Sequence, residues 1–140
     1  MAGVIVRCAC AQDLPRVAEI QAACPEAAQW APEDYLAHEF LLACCDSAVA
    51  GFTVARRVAE GESEILNLAV APPYRRLGIG RALLEQVRAR LPGAIYLELR
   101  ASNSGARRFY EALGFQEIGV RREYYHYPPE TAIVMKFHSC

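Results

Sequence analysis

The residues best suited to chemistry in this chain form a short turn that carries two glycines and three arginines. Gly78 and Gly80 lie two positions apart, with Arg75 and Arg76 before them and Arg81 after them. Glycine lets backbone N–H groups approach a ligand closely, and the start of a helix adds unpaired N–H donors and the positive end of the helix dipole. Because a strand pattern precedes this turn and a helix pattern follows it, the expected ligand is a phosphate group.

Two known nucleotide-binding motifs are missing from this turn. A P-loop requires the pattern GxxxxGK[ST], which does not occur in the chain. The dinucleotide fingerprint GxGxxG fails because Leu83 stands where its third glycine belongs. A second interpretation of the same residues is a turn eased by glycine and rimmed by solvated arginines. The residues alone leave both interpretations open.

Three further side chains could act in chemistry or in packing. Glu98 is a lone acidic residue inside an apolar run, and it could serve as a catalytic carboxylate or pair with Arg100 on the same strand face. Tyr110 lies on the apolar stripe of a helix pattern, where tyrosine is usually a core aromatic. Asn103 stands where a helix cap belongs. On the residues alone, each of these roles stays open.

The elements that must position these residues alternate between strand and helix patterns. The apolar face of the clearest helix follows the turn, and the apolar run around Glu98 alternates as a strand. Asp13 is expected to cap the first helix, and a tyrosine-rich loop is expected between the last two strands. The order β-α-α-β-β-β-α-β-α-β-β predicts a mixed α/β sheet, with strands over 4–8, 40–45, 49–56, 64–71, 94–99, 115–120 and 131–137, and helices over 13–24, 33–39, 79–91 and 103–113.

Length and composition predict one soluble domain over residues 1–140. With 54% hydrophobic and 22% charged residues, the chain can form a core and is not expected to be disordered. A net charge of -1 argues against direct nucleic-acid binding, which needs a basic face. The six cysteines contain no CxxC pair, so a structural zinc site is not expected. No secretory leader or membrane span is apparent, which favours a cytoplasmic protein without membrane contacts.

The turn resembles a known signature. Arg75-Arg76-Leu77-Gly78-Ile79-Gly80 is similar to the [QR]xxGxG/A motif of the GNAT acetyltransferase superfamily. The resemblance implies the GNAT fold, a mixed and mostly antiparallel sheet of six or seven strands flanked by about four helices. It implies that the turn and Arg81 bind the pyrophosphate of coenzyme A. It also implies cofactor contacts from Asn103 and a strand-like pairing of the pantetheine arm with the backbone of Leu68, Ala69 and Val70.

Three other segments resemble one branch of that superfamily. Residues 96–103, 108–115 and 121–125 are similar to bacterial ribosomal-protein-alanine N-acetyltransferases of the RimI type. This branch uses acetyl-CoA as cosubstrate and no metal, and the resemblance implies Glu98 as general base and Tyr110 as general acid. Such roles suit the chemistry, because an α-ammonium with a pKa near ~8 must lose a proton before it attacks a thioester. The departing thiolate must gain a proton.

The resemblance is weaker for the residues that would bind the acceptor than for those that would bind the cofactor. The branch acetylates the N-terminal amine of a protein such as a ribosomal protein, and Trp30, Tyr124 and Tyr125 are placed to line a groove for that tail. Each of these aromatics could instead serve only in packing. Thr131 departs from the branch, which usually has an aspartate there. The alternatives are a GNAT enzyme that acetylates a small amine or a lysine side chain, and a non-catalytic acyl-CoA-binding module.

Overall fold

The computed structural model describes residues 3–126 and 129–138, which form seven strands and three α-helices. The strands are β1 Val4–Cys8, β2 Glu39–Cys45, β3 Ala48–Ala59, β4 Glu62–Val70, β5 Ala94–Arg100, β6 Gln116–His126 and β7 Pro129–His138. The α-helices are α1 Leu14–Ala22, α2 Ile79–Arg90 and α3 Ser104–Ala112, and short 3-10 segments cover Ala11–Asp13, Pro32–Ala37 and Pro72–Tyr74. The predicted order of elements is confirmed.

The described chain divides into two compact units. The first comprises the described residues up to Arg56 together with Ile65–Leu91, and the second comprises Arg57–Glu64 together with the described residues from Pro92 onward. β3 and β4 contribute residues to both units. No helix within residues 3–126 and 129–138 is long and apolar enough to cross a membrane.

The first unit carries the strand order β1-β2-β3-β4 and the helices α1 and α2. β1 pairs antiparallel with β2, and β2 pairs antiparallel with β3 through a turn at Asp46 and Ser47, both with positive φ. β3 approaches β4 so closely at Gly51 that a Cβ there would lie 2.8 Å from the carbonyl oxygen of Ala69. Aromatic and aliphatic side chains from α1, the 3-10 segment Pro32–Ala37, β2 and β3 fill the core, among them Val17, Ile20, Tyr35, Phe40 and Phe52.

The second unit carries the strand order β4-β5-β7-β6 and the helix α3. β4 and β5 run parallel over three residue pairs, from Glu62↔Ala94 to Glu64↔Tyr96. β7 pairs antiparallel with β5 on one side and with β6 on the other. Most strand pairs are therefore antiparallel, as the mixed sheet of the sequence prediction requires.

Two local predictions were wrong, and a third is confirmed only in part. Residues 121–126, predicted as a tyrosine-rich loop, belong to β6, because β6 and β7 stay paired to His126↔Pro129; Tyr127 and Pro128 lie outside the described residues. The segment predicted as a second α-helix is the 3-10 segment Pro32–Ala37. Asp13 occupies the N-cap position of α1 as predicted, but its side chain makes no capping bond, because its carboxylate bonds to Arg7 and to the N–H of Cys10.

Candidate functional site

The turn between β4 and α2 exposes a row of backbone donors. Arg76 and Gly78 both have positive φ, +66° and +80°, which bends the chain sharply before α2 begins. Each N–H group from Arg76 to Arg81 lacks a protein acceptor among the described residues, and the first intrahelical bond is donated by Ala82 to Gly78. A row of unpaired N–H groups at a helix N-terminus is an anion-binding arrangement.

The three arginines of this turn have different surroundings. Arg75 bonds to the carboxylate of Glu26 at 2.9 Å and to the carbonyl of Val70 at 3.2 Å. Arg81 pairs with Glu85 along the helix. Arg76 is exposed and makes no hydrogen bond or ion pair with any described residue. Of the three predicted phosphate-binding arginines, only Arg76 therefore has a free guanidinium.

The β4 backbone before the turn is partly occupied by protein contacts. The Leu68 N–H donates to Oδ1 of Asn67 at 3.0 Å. The carbonyl of Val70 accepts from Arg75 and from the Sγ of Cys24. Cys24 is buried, and burial raises the pKa of its thiol. An added strand at this edge would have to use groups other than these two or displace their partners.

Glu98 lies at the centre of β5 on the face opposite the buried Ile95, Leu97 and Leu99. Its side chain is 19% exposed, and Oε1 lies 3.3 Å from the guanidinium of Arg121. Oε2 is buried and has no hydrogen-bond partner among the described residues. A carboxylate with one oxygen paired and the other free can accept a proton from an incoming group.

Two ion pairs on this face join residues of different strands and not neighbours along one strand. Arg100, the partner considered from the sequence, lies 3.4 Å from Glu130 on β7 and 4.3 Å from the ring centre of Tyr125. Arg121, which sequence reasoning did not select, reaches Glu98 from β6 across β7. Alternation within one strand reveals the faces of that strand, but not which charge on a distant strand shares the face.

The two tyrosines at the end of β6 lie within the electrostatic range of Glu98. Their rings contact each other edge to face at 5.2 Å. The negative charge of Glu98 is the largest cause of the raised pKa of Tyr124. Burial, followed by the Glu98 charge, raises the pKa of Tyr125 to about 12. Both phenols are therefore neutral hydrogen-bond donors near the Glu98 carboxylate at physiological pH.

Tyr110 is buried in α3 among other aromatic rings. Its ring centre lies 5.1 Å from that of Phe109 and 5.3 Å from that of Phe115. Burial raises the pKa of the phenol, so the hydroxyl keeps its proton over the physiological range. The packing of Tyr110 matches its core interpretation, and its retained proton is what a general acid needs.

Asn103 and Trp30 occupy the ends of loops. Oδ1 of Asn103 accepts from the N–H of Ala106 at 3.1 Å, so its side chain caps α3 as predicted. Trp30 is half exposed, and its carbonyl accepts from Nε2 of Gln21 at 2.7 Å.

No group of three or more His, Cys, Asp or Glu side chains in the described part of the chain is arranged to hold a metal ion.

The chain combines a mixed α/β fold with an anion-binding turn ahead of a helix, and a known protein family has these features. Residues 10–115 match the acetyltransferase (GNAT) family. The match covers most of the chain, so the chain belongs to the GNAT acetyltransferase family, as the turn motif predicted.

Particular members of the family are similar to this chain. It is 43% identical over 81 residues to the ribosomal protein bS18-alanine N-acetyltransferase of Escherichia coli K12, covering 55% of this chain and 54% of that protein. It is 38% identical over 89 residues to the N-alpha-acetyltransferase RimI of Mycobacterium tuberculosis, covering 62% and 56%. The chain thus spans about half the length of the curated relatives it matches.

A solved structure extends the similarity to nearly the whole chain. The crystal structure of the ribosomal-protein-S18-alanine N-acetyltransferase from Escherichia coli superposes with a TM-score of 0.81 at 30% identity. The superposition covers 97% of this chain and 94% of that one. The predicted fold class, a mixed and mostly antiparallel GNAT sheet, is confirmed.

Proposed function

We propose that this chain transfers the acetyl group of acetyl-CoA to the N-terminal α-amino group of a protein, such as a ribosomal protein. The observation that carries the proposal is the row of unbonded N–H groups from Arg76 to Arg81 in a chain of the GNAT family. Both curated relatives described above are named for acetylation of a protein N-terminus or an alanine. The small-amine alternative has no comparable support.

The cofactor is assigned to the first unit. The N–H groups of Arg76, Leu77, Gly78, Ile79, Gly80 and Arg81 cradle the pyrophosphate of coenzyme A, with the free guanidinium of Arg76 adding positive charge. Arg75 holds the turn against Val70 and Glu26 instead of binding phosphate directly. The β4 backbone around Ala69 lies along the pantetheine arm.

The chemical step is assigned to two side chains of the second unit. Glu98 accepts a proton from the acceptor ammonium through its free Oε2, so that the neutral amine forms the new C–N bond with the thioester carbonyl carbon. Tyr110 gives its phenolic proton to the sulfur as the C–S bond breaks. The nitrogen loses a second proton to solvent as the amide forms, and the Tyr110 phenolate regains a proton from solvent. The products are an N-acetylated tail, free coenzyme A and one net proton, which Glu98 releases.

The acceptor tail is assigned to the exposed aromatics. Tyr124 is 45% exposed and Trp30 is 50% exposed, so both rings are accessible to an acceptor peptide. Tyr125 is packed against Arg100 and offers its hydroxyl beside Glu98. Each of these rings is assigned a contact with an extended acceptor peptide, whose N-terminal amine reaches Glu98.

The test is thiol release from acetyl-CoA with three acceptors. A hexapeptide that begins with alanine, the same peptide with a blocked N-terminus, and a polyamine are compared at equal concentrations. We expect release only with the free-ended peptide. Release with the polyamine alone would exclude protein N-termini as acceptors. Binding of coenzyme A without release from any acceptor would favour a non-catalytic acyl-CoA-binding module.

A further inference from the structure

A buried carboxamide connects β4 to the loop that carries Trp30. Asn67 is 6% exposed and lies among the inward-facing residues of β4. Its Nδ2 donates to the carbonyl of Ala28 at 2.9 Å, and its Oδ1 accepts from the N–H of Ala28 at 3.3 Å. The side chain therefore pairs with both backbone groups of Ala28 in the way a neighbouring strand would.

Two more buried side chains complete this connection. Oε1 of Gln21 accepts from the Tyr35 hydroxyl at 2.6 Å and from Nδ2 of Asn67 at 3.2 Å. Nε2 of Gln21 donates to the carbonyl of Trp30 at 2.7 Å. The loop is thus fixed at Ala28 by Asn67 and at Trp30 by Gln21, and the two carboxamides are bonded to each other.

Removing any one side chain from this hydrogen-bond network is expected to destabilise the fold. Asn67, Gln21 and Tyr35 are all buried, and a buried polar group that loses its partner carries a desolvation penalty. An apolar side chain at position 67 would have sufficed to fill the core. The amide instead bonds to the N–H and carbonyl of Ala28, in an irregular loop whose backbone groups have no strand partner. The loop therefore needs the amide, and the hydrogen bonding of β4 does not.

We infer that Asn67 is a positioning residue that fixes the Trp30 loop and thereby sets the affinity for the acceptor. This inference rests on the proposed function, because it takes Trp30 as part of the acceptor path. The Asn67 side chain reaches that path only through Ala28 and Gln21. Toward the proposed cofactor side, Oδ1 of Asn67 accepts from the Leu68 N–H at 3.0 Å, and within the described chain no bond of its side chain leads to the turn residues 76–81.

The test compares Asn67→Ala and Asn67→Asp with the control Thr53→Val. Thr53 is fully buried, and its hydroxyl donates to the backbone carbonyl of Asn67 at 2.8 Å, but it has no recorded contact with the loop. We expect both Asn67 variants to raise KM for the alanine peptide about tenfold, the effect of losing buried hydrogen bonds. KM for acetyl-CoA should rise by less, because the one Asn67 side-chain bond toward the proposed pantetheine path is that from the Leu68 N–H. Thr53→Val should change neither KM value.

Hydrogen exchange at the Ala28 amide provides a readout that does not depend on activity. We expect Asn67→Ala to speed this exchange about tenfold or more, because the acceptor of that N–H is removed, and Thr53→Val to leave it unchanged. An equal rise in KM for both substrates, or unchanged exchange at Ala28, would overturn the inference. If no peptide is acetylated the proposed function fails, and the exchange measurement alone then decides whether Asn67 fixes the loop.

Discussion

At the scale of single residues, the two oxygens of the Glu98 carboxylate have different surroundings. Oε1 faces Arg121, and Oε2 is buried without a partner among the described residues. If Oε2 accepts the amine proton, Glu98→Gln keeps the shape but removes the base, and kcat should fall by about 10²–10⁴-fold. Steady-state kinetics with the alanine peptide measures this loss.

The matched control for Glu98 is Glu62→Gln. Glu62 also carries an aromatic neighbour, since it accepts from the Tyr96 hydroxyl at 3.4 Å, but it is exposed at the start of β4. We expect Glu62→Gln to retain wild-type kcat. Equal losses in the two variants, or full activity in Glu98→Gln, would contradict the assignment of Glu98 as base.

Tyr110→Phe tests the proposed acid. Removing the hydroxyl deletes no hydrogen bond recorded within the described chain, and the aromatic contacts with Phe109 and Phe115 stay in place. We therefore expect a melting temperature close to that of wild type and a kcat lower by about 10²-fold or more. Tyr96→Phe is the control and should lose little activity. A stable Tyr110→Phe variant with wild-type kcat would limit Tyr110 to packing.

The sequence predicted some of these residues and missed others for a physical reason. Alternation along β5 placed Glu98 opposite three buried residues, and the helical stripe placed Tyr110 inward; both placements are confirmed. Arg121 and Asn67 were missed, because their partners lie on other strands or in a loop. A polar residue at an inward-facing position of β4 was the one local signal for Asn67.

At the scale of elements, the turn before α2 depends on a backbone conformation that side chains disfavour. Gly78 has φ +80° and a Cβ there would meet nothing within 4 Å, so Gly78→Ala adds backbone strain without a clash. Left-handed backbone costs an alanine about 1–2 kcal/mol. Relief of that strain would turn the N–H groups away from their common direction, so we expect KM for acetyl-CoA to rise about tenfold.

Gly61→Ala is the control for this element. Gly61 has φ +71° and equally open surroundings, but it lies in the turn between β3 and β4. Both variants should lose similar stability in urea unfolding, and only Gly78→Ala should lose affinity for acetyl-CoA. A similar loss of acetyl-CoA affinity in both variants would show that strain in general, and not the turn, is responsible.

Helices and strands were predictable from sequence where one hydrophobic periodicity dominates. Their bounds were not predictable where pairing with another strand sets the length. The amphipathic pattern of α2 and the alternation of β5 are confirmed within a few residues. β6 was predicted to end near Val120, yet it runs on to His126, because β7 offers hydrogen-bond partners that the local tyrosine-rich composition does not reveal. A sequence pattern cannot show how far a partner strand extends.

At the scale of the whole molecule, one ion pair makes stability depend on pH. The Asp13 carboxylate bonds to Arg7 at 2.9 Å and to the N–H of Cys10, and these partners hold the pKa of Asp13 well below its usual range. The pair joins β1 to the start of α1. An unfolded aspartate takes up a proton near pH ~4, whereas the folded one resists protonation to a lower pH.

The sign of the pH dependence follows from this lowered pKa. The stabilisation by Asp13 is complete above about pH 4 and is lost as the pH falls from there through the folded pKa. We expect Asp13→Asn to be less stable than wild type by about 1 kcal/mol at pH 7, since Arg7 is partly exposed and its attraction is screened. The difference should narrow progressively below about pH 4 in urea unfolding. Asp34→Asn, at an exposed position in no ion pair with a described residue, should show no such narrowing. A difference between wild type and Asp13→Asn that stays constant from pH 7 to pH 2 would mean that the Asp13 charge does not stabilise the fold.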